Sequence, residues 1–175
     1  APSPDRQASM TPPRRSSAVP EAKSAIGWRE WVSLPDLGVE SIKAKVDTGA
    51  RTSSLHASDI EEFMRDGIEH VRFTIYPEQR SSDPEISVAL PLLARRRVTN
   101  SGGKAELRHV VETDVLLMDQ RWSIEITLTR RSNMGFRMLL GRQAIRGHFA
   151  VDSGRSFLAG KRLKKKGSTR RRLKR

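Results

Sequence analysis

Residues 44–57 read AKVDTGARTSSLHA and carry the most informative pattern in this chain. A predicted strand over Ser41–Val46 runs directly into Asp47, Thr48, Gly49 and Ala50. Gly49 permits a tight turn, so the strand is expected to end in a turn that exposes the Asp47 carboxylate. An isolated Asp-Thr-Gly is common in turns, and its meaning therefore depends on the rest of the chain.

A second signal, MLLGR at residues 138–142, follows about ninety residues later. An apolar pair followed by Gly, downstream of a strand that ends in Asp-Thr-Gly, resembles the aspartic proteases. With 175 residues the chain is too short for their two-lobed form. The resemblance is therefore to the single-lobe, retropepsin-like form, in which two identical chains each contribute one Asp.

Two further stretches, with longer versions of the two above, extend the resemblance over residues 27–160. REWV at 29–32, KAKVDTGARTSSLHA at 43–57, VRF at 71–73 and FRMLLGR at 136–142 are similar to a bacterial family of retropepsin-like proteins. That family is often labelled "ATP-dependent zinc protease" and includes RimB. The resemblance implies an aspartic-type peptidase whose active site lies at a homodimer interface. Its relatives are associated with glutamate ligases that append glutamate to proteins, including a ribosomal protein, which implies an acidic or glutamate-rich substrate.

The chemistry expected at Asp47 requires a second carboxylate. Two carboxylates held about 3 Å apart cannot both ionise and share one proton, as in known aspartic proteases, so one can activate water while the other donates a proton. The only other similar tripeptide, Asp152-Ser153-Gly154, lies about a dozen residues after the Leu-Leu-Gly signal and is interpreted as a superficial match. The second carboxylate is therefore expected from Asp47 of another chain, across a two-fold axis.

The residues around this turn are candidates for substrate binding. The resemblance gives Thr48 a contact across the dimer axis, and Ala50 keeps the floor of the site small. Viral retropepsins place an acid after Asp-Thr-Gly-Ala that pairs with a downstream Arg, whereas this chain has Arg51 and Arg142, which cannot pair with each other. Either both are structural, or they bind substrate carboxylates in bidentate fashion.

Two further candidates each have a simpler alternative. His56 binds substrate or orients Arg51, or else it is a packed core histidine. Ser101, Gly102 and Gly103 lie in a predicted turn, which is either a flap that closes over substrate or an ordinary surface hairpin. The three Trp residues are interpreted as core or interface residues.

Metal and cofactor chemistry find no support in the sequence. The four His residues never show the His-Glu-x-x-His spacing of common zinc proteases, and no phosphate-binding Gly-x-x-x-x-Gly-Lys-Ser/Thr loop is present. The prediction is therefore no metal and no cofactor.

The chain also has no cysteine, which fits a reducing compartment. No segment has the apolar length of a membrane helix, and a cytoplasmic location is expected.

Charge divides the chain into three predicted segments. Residues 1–26 are rich in Pro and Ser and are expected to be disordered, residues 27–160 form the peptidase domain, and residues 161–175 form a disordered basic tail. The tail carries +10 and the first segment +2 of the net +13, which leaves +1 for the domain. The tail either contacts RNA or ribosomes weakly through counterion release or serves only solubility. The alternative functions are a ribosome- or RNA-binding protein and a non-catalytic regulator of a glutamate ligase.

The predicted fold is all-β, a closed barrel or sandwich with one or two short helices. The helices are predicted over Asp59–Arg65, from an Asp start and Gly67 beyond its end, and over Gly141–Arg146. The predicted strands are Arg29–Leu34, Ser41–Val46, His70–Tyr76, Ile86–Leu92, Arg95–Val98, Glu106–Thr113, Val115–Met118, Ser123–Leu128, Phe136–Leu139 and Phe149–Asp152.

Overall fold

A computed structural model describes residues 22–78, 85–99, 102–130 and 135–161. The predicted basic tail beyond Lys161, most of the first segment and Ser101 lie outside these ranges. The elements are β1 (Ala25–Gly27), β2 (Arg29–Leu34), a 3-10 turn (Pro35–Leu37), β3 (Val39–Asp47), β4 (Ser53–Arg65), β5 (Ile68–Ile75), β6 (Ile86–Pro91), β7 (Ala94–Thr99), β8 (Ala105–Leu117), β9 (Gln120–Thr129), β10 (Met138–Gly141), α1 (Arg142–Ile145) and β11 (Ala150–Asp152). The all-β prediction is confirmed.

The strands form one large sheet and one small sheet. The large sheet runs β10-β3-β2-β8-β9-β4-β5-β6, with β7 paired to β8. Strand β10 also pairs with β4, so the path of pairing from β10 through β3, β2, β8, β9 and β4 returns to β10. The small sheet pairs β1 with β11 in parallel. This arrangement brings the end of β3, which carries Asp47, beside the end of β10.

Alternation of side chains decides which face of each strand enters the core. In β2 the even-numbered residues are buried, and in β3 residues 42, 44 and 46 are buried. Asp47 therefore points away from the core, on the same face of β3 as Lys43 and Lys45. The core is filled by large apolar side chains from most strands, including Leu34, Ile42, Leu55, Phe73, Ile126 and Leu140.

The helix predicted over Asp59–Arg65 is wrong, because these residues belong to β4. The two residues Asp66 and Gly67 both have positive φ, and Arg65 pairs with Ile68 across them. Asp-Gly with two positive φ angles is the tight turn that suits the twist of a β-hairpin. The Gly that suggested a helix end is therefore the tip of the hairpin between β4 and β5. The helix predicted over Gly141–Arg146 is confirmed as α1.

Several strand boundaries also differ from the predictions. The predicted strands Glu106–Thr113 and Val115–Met118 are one continuous strand, β8, because Asp114 faces outward and pairs with Arg121 at 2.9 Å. The structure also contains a strand that was not predicted, β1, which starts at Ala25 and in which the side chain of Ile26 is fully buried.

Candidate active site

The turn after β3 holds the Asp47 carboxylate through its own backbone. Asp47 Oδ1 accepts hydrogen bonds from the amides of Gly49 at 3.0 Å and Ala50 at 3.2 Å. Among the described residues no donor is recorded for Oδ2, and the turn is largely exposed. A Cβ on Gly49 would lie 3.3 Å from Oδ1, so Gly at this position leaves room for the carboxylate. One carboxylate oxygen is therefore held by backbone amides at a turn that is largely exposed.

Strand β10 and helix α1 pass directly behind this turn. Gly141 is the register partner of Asp47 in the parallel pairing of β10 with β3. A Cβ on Gly141 would lie 2.4 Å from the carbonyl carbon of Thr52, so only Gly fits. The backbone amide of Gly141 also donates to Ser53 Oγ at 3.0 Å. Ser53 was not singled out by the sequence, because its partner lies 88 residues away and no local pattern indicates it.

The two arginines flanking the turn have different surroundings. The amides of Arg142 and Gln143 donate to the carbonyls of Ala50 at 2.7 Å and Arg51 at 3.1 Å. The Arg142 guanidinium donates to the carbonyl of Thr48 at 2.9 Å. Arg51 is exposed, and no ion pair of its side chain is recorded among the described residues. Arg142 thus supports the turn, while the Arg51 side chain is available for other contacts.

His56 is buried in the position expected of a packed core histidine. Its ring lies 6.3 Å from that of Tyr76, and its backbone amide donates to the Arg137 carbonyl at 2.7 Å. Burial, with a smaller contribution from the charge of Arg137, lowers the pKa of His56, against a hydrogen bond with the backbone of Thr129. The neutral ring is therefore favoured, and the geometry supports packing more than substrate contact.

The predicted flap is a real hairpin, formed by β7 and β8. Thr99 pairs with Ala105 just before the tip, and Gly103 has a φ of 79° that suits Gly. Of the three predicted tip residues, Gly102 and Gly103 are described and Ser101 is not. The role of this hairpin as a flap stays a prediction.

An ion-pair network ties this hairpin to its neighbour. Arg95 in β7 makes two hydrogen bonds to Glu62 in β4, at 2.8 and 2.7 Å, and contacts Glu69 at 3.4 Å. His109 in β8 lies 2.7 Å from Glu62. The bonds from Arg95 and then His109 lower the pKa of Glu62 to about 2. The two hairpins are therefore joined at a surface network.

Trp122 connects α1 to the sheet. Its indole N–H donates to the carbonyl of Ala144 at 3.0 Å, and its ring stacks on His148 with 4.3 Å between centroids. This agrees with the interpretation of Trp122 as a packing residue. Trp28 and Trp31 lie half-buried against Phe136 and Phe157.

The described residues contain neither a cluster of metal ligands nor a helix that could span a membrane. Within residues 22–78, 85–99, 102–130 and 135–161, no three His, Asp or Glu side chains come together as metal ligands would. The same ranges contain no helix with the length and apolar character needed to cross a bilayer.

Comparison with known families identifies the fold. Residues 25–162 match the family described as "Retropepsin-like aspartic endopeptidase RimB". The chain belongs to this RimB-like family. The resemblance drawn from the Asp47 and Gly141 stretches is thereby confirmed.

Related RimB-like sequences occur inside larger proteins. A protein of Desulfotalea psychrophila named probable alpha-L-glutamate ligase is 44% identical over 131 residues, which cover 75% of this chain and 28% of that protein. One of Shewanella pealeana with the same name is 42% identical over 140 residues, covering 80% of this chain and 31% of that protein. The chain therefore spans less than a third of the length of these relatives.

A solved structure shares the fold. The crystal structure of a Legionella pneumophila protein of unknown function is 29% identical and superposes with a TM-score of 0.66. The match covers 79% of this chain and 99% of that one.

Proposed function

We propose that this RimB-like chain is an aspartic-type peptidase that hydrolyses peptide bonds in acidic or glutamate-rich peptides. The observation that carries the proposal is the Asp47 turn, in which backbone amides fix one carboxylate oxygen at a largely exposed turn. Such a carboxylate is preorganised for proton transfer. The family description supports the same chemistry.

The proposed reaction uses Asp47 from each of two identical chains. The pair shares one proton, because two adjacent carboxylates do not both ionise. The ionised member takes a proton from water, the resulting hydroxide attacks the peptide carbonyl carbon, and the protonated member gives its proton to the carbonyl oxygen. Collapse of the tetrahedral intermediate then breaks the C–N bond: one Asp gives its proton to the leaving nitrogen, the other takes a proton from a hydroxyl of the intermediate, and the dyad again holds one proton.

The preference for acidic substrates is assigned to Arg51 and, less directly, to Arg142. Arg51 follows the turn in the chain and lines the pocket beside it, and the Arg142 side chain already supports the Thr48 carbonyl. Arg51 is the better candidate for a bidentate contact with a substrate carboxylate.

The test is hydrolysis of a synthetic oligoglutamate peptide by the purified chain and by Asp47→Asn. We expect cleavage by the wild type and none above background by the variant, with unchanged folding. Sedimentation should show a dimer under the conditions of cleavage. A chain that cleaves while remaining monomeric, or an Asp47→Asn variant that cleaves at the wild-type rate, contradicts the proposal.

A second candidate function is a non-catalytic binding module that acts on a glutamate ligase. It is favoured by the names of the relatives, in which a homologous segment occupies less than a third of proteins named as probable glutamate ligases. Binding of a purified ligase of this type with equal affinity by wild type and Asp47→Asn, and no hydrolysis by either, would support this function over the first.

A further inference from the structure

A pocket of about 310 Å³ opens beside the Asp47 turn. Its lining residues come from the turn, β7, β9 and α1, and all are polar: Arg51, Thr52, Arg96, Glu125 and Gln143. Pockets for small ligands are usually lined by apolar side chains with a few polar ones. A lining of five polar residues, two of them arginines, instead favours a charged, hydrogen-bonding ligand.

The charges in this pocket are unbalanced. Arg96 Nη2 lies 3.2 Å from Glu125 Oε2, whereas Arg51 has no acidic partner recorded among the described residues. The Arg96 and Glu125 side chains are 40% and 44% exposed, and ion pairs this exposed contribute little to stability. Arg96 can therefore exchange Glu125 for another carboxylate at small cost.

The position of the pocket relates it to the reaction. Arg51 is four residues beyond Asp47, and its carbonyl is held by the amide of Gln143 at 3.1 Å. Thr52, the next lining residue, packs against Gly141, which is the register partner of Asp47. A peptide whose scissile bond lies at Asp47 would place a flanking residue within reach of this pocket.

We infer that Arg51 and Arg96 form a specificity pocket for a substrate carboxylate. Glu125 pairs with Arg96 until the substrate carboxylate displaces it. Guanidinium groups match carboxylates in a planar, bidentate geometry. The inference rests on the proposed function for its location, and it adds Arg96 and Glu125 to the residues that select the substrate.

The carboxylate has two chemical sources, an acidic side chain or the free end of a peptide. Binding should be measured on the Asp47→Asn background, so that no cleavage occurs, by anisotropy of fluorescein-labelled peptides. The probes are a tetraglutamate with both ends blocked, the matching tetraglutamine, and that tetraglutamine with a free C-terminal carboxylate. Tighter binding of the first assigns a side chain and tighter binding of the third assigns a chain end; both support the pocket.

Four variants separate the pocket from general surface charge. Arg51→Gln and Arg96→Gln should each weaken binding of the preferred acidic probe by about tenfold or more, as expected for a charge-assisted bond. Glu125→Gln should tighten it severalfold, since it removes the competing carboxylate. Arg97→Gln is the matched control, because alternation along β7 places Arg97 on the other face of the strand, and it should leave binding unchanged.

Three results would overturn the inference. These are equal losses in Arg96→Gln and Arg97→Gln, no gain in Glu125→Gln, and equal binding of all three probes. Failure of the peptidase proposal is distinguishable, because charge-selective binding with no hydrolysis by the wild type removes the peptidase and retains the pocket. Hydrolysis by the wild type with no preference for the acidic probes retains the peptidase and removes the pocket. Thermal unfolding of each variant confirms that the fold is intact.

Discussion

Two turns in this protein are built in the same way and lie in different surroundings. Asp47-Thr48-Gly49 ends β3, and Asp152-Ser153-Gly154 ends β11. In each, Oδ1 of the Asp accepts a hydrogen bond at 3.0 Å from the Gly two residues later. The sequence match at Asp152 therefore extends to the local geometry of the turn, and its interpretation as a superficial match that supplies no second catalytic carboxylate stays a prediction.

The likeness extends to the strand beside each turn. Gly141 is opposite Asp47 and Gly27 is opposite Asp152, both in parallel pairings. A Cβ on Gly141 would lie 2.4 Å from the Thr52 backbone, and one on Gly27 would lie 2.3 Å from the Arg155 carbonyl oxygen. Each turn is thus backed by a glycine that allows two backbone segments to touch.

The surroundings separate the two turns. Beyond Gly141 the chain enters α1, whose amides and Arg142 side chain donate to the carbonyls of the Asp47 turn, and a polar pocket opens beside it. Beyond Gly27 the chain enters β2, where the fully buried Glu30 accepts from the amides of Gly27, Leu158 and Ala159 at 3.1, 3.0 and 2.8 Å. The comparison teaches that the local turn presents a carboxylate, and that its neighbours decide whether a site forms around it.

The largest predicted difference between the turns is catalytic. Asp47→Asn should lower kcat/KM by about a hundredfold to ten-thousandfold, the usual contribution of a positioned acid or base. Asp152→Asn should retain nearly full activity, because its amide oxygen can still accept from Gly154. Steady-state kinetics on an acidic peptide measure both, and a comparable loss in Asp152→Asn would mean that the two turns act together.

The next effect concerns the buried carboxylate beside the second turn. Glu30→Gln places an amide N–H₂ among backbone donors, and loss of charge-assisted bonds should cost roughly 2–4 kcal/mol of unfolding free energy. Urea denaturation measures the cost, with the exposed Glu40→Gln as a control expected to change little. Activity per folded molecule should survive, and its loss would connect Glu30 to the Asp47 turn.

The backing glycines test whether the two turns are equivalent in stability. Gly141→Ala and Gly27→Ala should each cost roughly 1–3 kcal/mol, as overpacked positions do. Gly154→Ala is the control, since its Cβ would meet Asp152 Oδ1 at an ordinary 3.5 Å. We expect Gly141→Ala alone to reduce turnover as well, because Asp47 is its register partner. Equal loss of turnover in Gly27→Ala would break this distinction.

A smaller effect is expected at Arg142, whose side chain donates a hydrogen bond to the Asp47 turn. Arg142→Gln removes the bond to the Thr48 carbonyl and should lower kcat by about twofold to tenfold, the range for one hydrogen bond. A positioning role predicts equal losses on acidic and neutral peptides, with KM little changed. A loss confined to the KM for acidic peptides would instead make Arg142 a direct carboxylate contact.

The smallest effect lies at the network that joins the hairpins, outside both turns. The pKa of Glu62 is about 2 in the folded chain, below its ordinary value of 4.5. Its contribution to stability is therefore present above about pH 4.5 and is lost as the pH falls towards 2. Urea unfolding across this interval should show a slightly steeper loss for wild type than for Glu62→Gln. Identical curves would show that the ion pairs with Arg95 and His109 do not contribute.

Local sequence was sufficient to predict those elements whose structure depends on residues adjacent in the chain. Strand β2 begins at Arg29 and ends at Leu34 as predicted, since alternation and Pro35 mark it. The Asp47 turn follows from a strand entering Asp-Thr-Gly. The error at Asp59–Arg65 arose because Asp66-Gly67 fits a helix end as well as a hairpin turn, and only pairing with β5 decides between them.

The amino-acid sequence by itself determined the all-β class, the Asp47 turn and the glycine behind it, because each depends on a short pattern with a local physical cause. Only the tertiary structure decided which groups meet across the chain. Ser53 reaches Gly141 and Arg96 reaches Glu125 through strand registers that alternation alone does not specify, and Glu30 reaches Leu158 and Ala159 in the segment after the last strand. A shift in one of these registers would leave the local pattern of residues unchanged while moving such contacts apart.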